Sequence, residues 1–362
     1  MRNKAAFPGQ YIQGQGVLSD LPVLIENFGK KALLLVSASG RNILQSQRGT
    51  RIESDNIIIE LFNGECCEDE LGRLLDFVKA TACDVMVGMG GGKCIDTAKI
   101  VADRAHIPVI VVPTIASTDA PCSGCAVVYS NEGEFESVKY QKQNPAVVLV
   151  DLQLIATSPT RLFVAGMGDA LSTWFEARSC DRTQSKNECG GTSTMTGLHL
   201  AKLCYDTLLD YGLLAKIACD NRLVTPALSK ITEANILLSG IGFESSGLAT
   251  AHAVHNGLTA LAETHAFYHG EKVAFGVLTG FHLNGSDPDE IETVYSFCEQ
   301  VGLPTTLAEI GLDRNNREYL MIAAAKACEP EQSIHHEAGE IHPKNVLEAM
   351  LMADAIGNLR KS

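Results

Sequence analysis

The sequence predicts an α/β N-terminal domain over residues 1–160, built on a doubly wound, mostly parallel sheet, and an all-α domain over residues 161–362. Up to residue 156, short and continuously apolar runs alternate with amphipathic stretches, as strands buried on both faces alternate with crossover helices. Beyond residue 160 the β-branched runs give way to long stretches of helical spacing. At 362 residues the chain also exceeds the usual size of one domain.

The elements follow in order. "QYIQG" reads as a short strand, and "VLSDLPVLIENFG" as an amphipathic helix closed by Gly29, a C-cap signal. "KALLLVS" (31–37), "IIIELF" (57–62), "DVMVGMG" (84–90) and "IPVIVVPT" (107–114) read as buried strands. "EDELGRLLDFVKATA" (68–82) and "KCIDTAKIVADRA" (93–105) carry apolar residues at helical spacing. After "AVVLVDLQLIA" (146–156), helices are predicted over 161–180, 190–213, 224–243, 247–263, 271–284 and 315–328.

Composition narrows the class. A formal charge of -14, from 43 acidic against 29 basic residues, opposes binding to nucleic acid or to an anionic membrane surface. "MRNKAAFPGQ" lacks the apolar core of a secretory signal, and no apolar run approaches the ~18 residues of a spanning helix. Twelve cysteines are dispersed through apolar and helical segments, as reduced thiols in the cytoplasm would be. Cys122 and Cys125 form a C-x-x-C, but no second pair completes a zinc ribbon. A cytoplasmic enzyme is expected.

"GMGGGKCIDTAK" (88–99) runs from an apolar strand into a helix start. Glycines there allow φ > 0 and remove the Cβ atoms that would hold a phosphate away, and the first helical N–H groups favour an anion. A diphosphate cradle is one reading; a tight strand-to-helix turn is the other. Neither G-x-G-x-x-G nor the P-loop pattern fits, since Lys93 stands where the third glycine is due and Cys94 follows it. Asp96 is placed to hold the loop lysine or to cap loop amides. A second loop, "VVPTIASTDAPCSG" (111–124), is rich in hydroxyls and contains Asp119. It follows a strand, on the edge where open α/β sheets bind ligands, although ordinary loops share this composition.

Four of the ten histidines fall within "TAHAVHNGLTALAETHAFYHGEK" (250–272). His252 and His255 share one face of a predicted helix, and His265 and His269 follow in the connection after it. Imidazoles converging with a carboxylate make a catalytic zinc site with an open position. H-E-x-x-H is missing. Asp169, in "FVAGMGDALSTWFEARS", sits among small apolar residues at an expected helix start, where it either joins a metal or caps the helix.

Taken together, "GGGKCIDTAK", "PTIASTDAP", "GMGDALSTW", "GFESSGLATAHAVHNGLTAL" and "YHGEKVAFG" resemble the iron-containing (group III) alcohol dehydrogenases over nearly the whole chain. The resemblance implies a dehydroquinate synthase-like architecture with a nucleotide-binding α/β domain and a helical metal- and substrate-binding domain. It implies Asp169, His252 and His269 as metal ligands, His255 as a supporting or proton-relay residue, and His265 as peripheral. Gly91, Gly92 and Lys93 would hold the NAD diphosphate with support from Asp96, while Thr114, Ser117, Ser123, Cys125 and Tyr129 would line the dinucleotide. Asp119 would contact a polyol and Phe243 its carbons. The implied reaction is NAD-dependent oxidation of glycerol or a related vicinal diol to the ketone, by hydride transfer from a metal-bound alkoxide, with Zn2+ or Fe2+ as the ion. The implied assembly is a homo-oligomer, octamer or dimer. The rival readings are a glycerol-1-phosphate dehydrogenase or a dehydroquinate synthase-like lyase.

Two departures from the family pattern stand out. No carboxylate follows the strand at 31–37, where "ASGRN" brings Arg41 instead, so NAD and NADP both remain open. Cys125 replaces a bulkier apolar residue, a change that packing alone can accommodate.

Overall fold

A computed structural model describes residues 2–46 and 56–361. They form two compact units. The sheet unit comprises Ala6–Pro159 and Ala218–Gly240, and the helical unit comprises Thr160–Ile217 and Ile241–Ser362 with Met1–Ala5.

Eight strands occur among the described residues of the sheet unit: β1 (Gln10–Gly14), β2 (Ala32–Val36), β3 (Ile57–Leu61), β4 (Val85–Gly90), β5 (Val109–Pro113), β6 (Cys125–Tyr129), β7 (Phe135–Tyr140) and β8 (Val147–Asp151). Six of them form one sheet in the order β1-β8-β5-β4-β2-β3, with every pair parallel. The buried runs of β2, β4, β5 and β8 are the apolar stretches seen in the sequence. Helices α1 (Leu21–Phe28), α2 (Ala38–Ser46), α3 (Glu68–Thr81) and α4 (Gly92–Ala105) connect strands of the sheet, and α5 (Leu152–Thr157) follows β8. Leu21, Leu24 and Ile25 of α1 join the core on one sheet face with Leu34, Val87, Val112 and Leu149. On the other face a Cβ on Gly88 would stand 2.6 Å from Ala98 Cβ of α4. Helices on both faces make the sheet doubly wound.

β6 and β7 form a separate antiparallel hairpin with a bulge at Val128 and Tyr129. The sequence reading does not include it, because β7 is almost wholly exposed and carries no apolar periodicity.

The chain continues as α6 (Thr160–Thr183), α7 (Met195–Asp220), α8 (Pro226–Glu233), α9 (Ser239–Ser246), α10 (Thr250–Leu258), α11 (His269–Asn284), α12 (Pro288–Val301), α13 (Arg317–Ala327) and α14 (Pro343–Lys361). The helix predicted over 224–243 is instead α8, a π-helical turn over Ala234–Leu238 and α9. The one predicted over 247–263 stops at Leu258, and a 3₁₀ turn over Ala262–Ala266 follows. α12 and α14 lie outside the predicted set. Ala218–Gly240, beyond the expected boundary at residue 160, group with the sheet unit. Gln13 Nε2 donates to Ser229 O at 3.0 Å, Asn235 Nδ2 donates to Ala116 O at 3.0 Å, and Leu228 and Ile231 are fully buried. No helix among the described residues is long and apolar enough to cross a membrane.

Candidate active site

Asp169, His252 and His269 each present one donor atom, and the three atoms lie within 4.8 Å of one another. Asp169 Oδ1 is 3.1 Å from His269 Nε2 and 3.5 Å from His252 Nε2. Ligands about 2.0–2.1 Å from a tetrahedral ion stand about 3.3 Å apart along an edge, so both spacings suit one cation. The donor set fits zinc, and ferrous iron accepts the same types.

Helix packing assembles this cluster. Asp169 lies in the interior of α6, so it is not the N-cap that its small neighbours allowed. His252 is on α10, and His269 is the first residue of α11 and not part of a connecting loop. A Cβ on Gly270 would fall 1.7 Å from Ala165 O, and one on Gly276 would fall 2.4 Å from Ala251 O. Only glycine lets α11 approach α6 and α10 this closely. Arg161 of α6 fixes the register by donating to both oxygens of Glu271, while Glu271 Oε2 accepts from Tyr268 N at 2.8 Å.

A second carboxylate orients the first imidazole. Glu176 lies two turns beyond Asp169 on α6 and is 2% exposed. Its Oε2 accepts from His252 Nδ1 at 2.6 Å, and its Oε1 accepts from His252 N at 3.0 Å and Ala249 N at 2.8 Å. The Nδ1 proton is thereby fixed, and Nε2 faces Asp169, where it would offer its lone pair to a cation. The other imidazole is oriented by a chain of bonds. His269 Nδ1 donates to His255 Nε2 at 3.0 Å, His255 Nδ1 to Asn256 Oδ1 at 3.0 Å, and Asn256 Nδ2 to Gln332 Oε1 at 2.9 Å. Only this direction leaves His269 Nε2 as an acceptor toward a cation.

The electrostatics follow from burial and pairing. Burial opposes ionisation of Asp169, yet the facing His269 and His252 hold its carboxyl far below the usual carboxylate range. Burial likewise opposes a charge on His252, and Glu176 with Asp169 overrides it and raises the imidazole. Burial, His269 and Lys272 push His255 down.

The glycine loop has a finer structure than its composition suggests. None of its four glycines has a positive φ. Gly88 and Gly90 are needed for close packing, since a Cβ on Gly90 would stand 2.8 Å from Cys94 Cβ. Gly91 is the extended N-cap of α4, and a Cβ on Gly92 would meet nothing nearer than Thr118 Oγ1 at 3.9 Å. The open position suitable for an anion is therefore at Gly92, over the start of a 14-residue helix, since a Cβ on Gly91 would stand 3.2 Å from Ile115 Cδ1.

Lys93 and Asp96 are otherwise engaged. Lys93 Nζ pairs with Glu65 and lies 4.6 Å from the Tyr129 ring centroid. Asp96 does not hold Lys93 or cap the loop's amides: its Oδ2 accepts from Val127 N at 3.0 Å, and its Oδ1 faces Lys99 at 3.5 Å. Thr114 N donates to Gly90 O at 3.0 Å, so the second loop starts against the first. Ser123 is buried with its Oγ near Ala120 O, and Cys125 Sγ lies 3.4 Å from that Oγ. Ser117 is half-buried in the same loop. Tyr129 is pushed up to about 12 by burial, with Asp96 and Glu65 adding to the effect. Asp119 Oδ2 accepts from Ser239 Oγ at 2.6 Å within the sheet unit, and Phe243 is buried in α9 of the helical unit. His265 is exposed, with Nε2 2.9 Å from Thr259 O. All twelve cysteines are free thiols.

Glu176, Asn256 and Gln332 escaped the sequence reading. Glu176 had a readable signal, a second acid on the Asp169 face of one helix; Gln332 had none, because it is distant in sequence.

Comparison with known proteins shows the family. The profile of the iron-containing alcohol dehydrogenases matches residues 8–152. A glycerol dehydrogenase of Thermotoga maritima is 49% identical, with 98% of each chain covered. The chain belongs to the iron-containing alcohol dehydrogenase family. Another member, a glycerol dehydrogenase of Escherichia coli, is 44% identical over 97% of this chain and 96% of its own. Among solved structures of the family, a probable glycerol dehydrogenase from Sinorhizobium meliloti superposes with a TM-score of 0.93 at 42% identity, covering 99% of this chain and all of its own.

Proposed function

We propose that the protein is an NAD- and metal-dependent glycerol dehydrogenase, converting glycerol and NAD+ to dihydroxyacetone, NADH and a proton. The observation carrying this reading is the convergence of Asp169 Oδ1, His252 Nε2 and His269 Nε2, together with the activity named for the similar proteins above. When bound, the cation supplies a Lewis acid toward adjacent hydroxyls of the diol, and NAD supplies the hydride acceptor.

The chain's own groups do the remaining work. Asp169, His252 and His269 would hold the ion, with Zn2+ the first choice for a site without redox chemistry. Glu176 and His255 keep the two Nε2 lone pairs aimed inward. Gly91 and Gly92 leave the α4 N-terminus bare for the NAD diphosphate, and Thr114, Ser117, Ser123, Cys125 and Tyr129 would line the dinucleotide. In this role Lys93 would leave Glu65 for the diphosphate, while Asp96 supports from behind. Ser239 holds the Asp119 carboxylate for a polyol hydroxyl, and Phe243 would offer an apolar wall to the substrate carbons. The free thiols suit a reducing cytoplasm.

A phosphorylated substrate fits less well. Arg178 is paired with Glu290, Arg161 with Glu271, and Lys272 Nζ is turned to Thr264 O. No additional cation is thus directed at the cluster by these three residues.

The test is NADH formation with glycerol, 1,2-propanediol and simple primary alcohols, alongside metal analysis of the same sample. Vicinal diols should be oxidised, chelation should abolish turnover, and zinc should restore it. Full activity in metal-stripped protein refutes the reading.

A further inference from the structure

We propose that Lys99 is a positioning residue for dinucleotide binding, clamping the Ala120–Val127 segment to the helix that carries the glycine cradle. The proposal rests on the NAD reading above.

Lys99 is among the largest fully buried side chains of the chain, at 2% exposure. Its Nζ donates to Ala120 O at 2.9 Å and to Cys125 O, and lies 3.5 Å from both Ser123 Oγ and Asp96 Oδ1. An ammonium has three protons to donate, so these protein acceptors use its capacity. Burying a lysine is unfavourable unless it is fully partnered, and an apolar side chain of similar volume would fill the space more cheaply. What the ammonium adds is a grip on backbone carbonyls that methionine cannot provide.

Asp96 completes the clamp. It lies one turn before Lys99 on α4, and its Oδ2 accepts from Val127 N at 3.0 Å. The pair therefore holds both sides of the turn that leads into β6. The second loop is attached to the first at its other end too, where Thr114 N donates to Gly90 O at 3.0 Å. Between these anchors the loop has no regular secondary structure. Fixed at both ends to the β4–α4 junction, it and the cradle form one surface before any ligand arrives. A dinucleotide contacting both would otherwise have to order the loop on binding, with a loss of affinity.

The test compares wild type, Lys99→Met and Asp96→Asn as full-length, metal-loaded protein. NAD affinity is measured by titration of binding, steady-state kinetics give KM for NAD and for glycerol, and metal content and thermal midpoint are recorded. In Lys99→Met the Kd and KM for NAD should rise about tenfold, the scale of ordering a few loop side chains, with metal content unchanged. Asp96→Asn should raise them about threefold, because the amide oxygen still accepts from Val127 N while the ion pair is lost. A purely stabilising role would lower the thermal midpoint and leave the NAD Kd of the folded protein within twofold of wild type, which overturns the proposal. If Lys99→Met cannot be recovered folded, Asp96→Asn decides: a rise supports the clamp and an unchanged Kd overturns it. Failure of wild type to bind or reduce NAD would instead defeat the underlying cofactor reading.

Discussion

The glycine cradle comes from one continuous stretch, Gly88–Lys99, whereas Asp169 and His269 of the metal cluster stand 100 residues apart. The cradle needs a strand end, a bare backbone turn and a helix dipole, all local to the β4–α4 junction. The cluster needs α6, α10 and α11 at fixed separations, and Gly270 and Gly276 set those separations. A local site should tolerate damage elsewhere in the fold; a site made by helix packing should be lost along with the packing.

Direct removal of a metal donor should have the largest effect. His252→Ala or Asp169→Asn should reduce glycerol oxidation by on the order of a thousandfold, as when a centre of charge stabilisation is deleted. Metal analysis should show the ion gone while NAD titration remains normal. Loss of NAD binding in the same variants would erase the distinction between the two sites.

Packing glycines come next. Gly270→Ala forces a methyl against Ala165 O and should destabilise the protein by roughly 1–3 kcal/mol or more, with the metal lost in parallel. Thermal unfolding and metal content check it together. A stable, metal-replete variant would show that α6 and α11 have room that the geometry denies.

Glu176→Gln should weaken metal binding by about 10–100-fold, the usual consequence of removing a carboxylate behind a ligating histidine. Competition with a chelator measures this without using activity. An unchanged affinity would mean that His252 needs no orienting partner.

Within the cradle, Gly90→Ala and Gly92→Ala should differ. The first meets Cys94 Cβ and should lower the thermal midpoint, while the second has space. Gly92→Ala should fold normally yet raise KM for NAD about tenfold, because its methyl would occupy the open space at the α4 N-terminus proposed for the diphosphate. Equal behaviour of the two would dissolve the division between packing and ligand glycines.

The last effect concerns cofactor choice. The turn after β2 lies against the glycine loop, with Ser37 N donating to Met89 O at 3.0 Å. It carries Ser37, and Ser39 and the exposed Arg41 follow in the first turn of α2, with no acid among them. Ser37→Asp should raise the ratio of kcat/KM for NAD over NADP about tenfold, since an acid there repels a 2′-phosphate. Parallel kinetics with both cofactors check it.

Residue chemistry by itself determined much of this protein. Continuous apolar runs specified buried parallel strands, and the break in pattern near residue 160 marked where the helices take over. The histidine cluster pointed to a metal site, but it was the family resemblance that picked His252 and His269 from the four and joined Asp169 to them. Tertiary structure decided the rest. Which imidazoles Asp169 faced depended on α10 and α11 seating against one another and against α6, which Gly168, Gly270 and Gly276 permit. Glu176 lay in plain sight two turns along, but its partner His252 belongs to another helix. Lys93 and Lys99 share one motif, yet packing sent the first to Glu65 and buried the second under a loop. Local backbone preferences are written along the chain; which side chains meet depends on how closely helices can approach, and that is settled only when the core is packed.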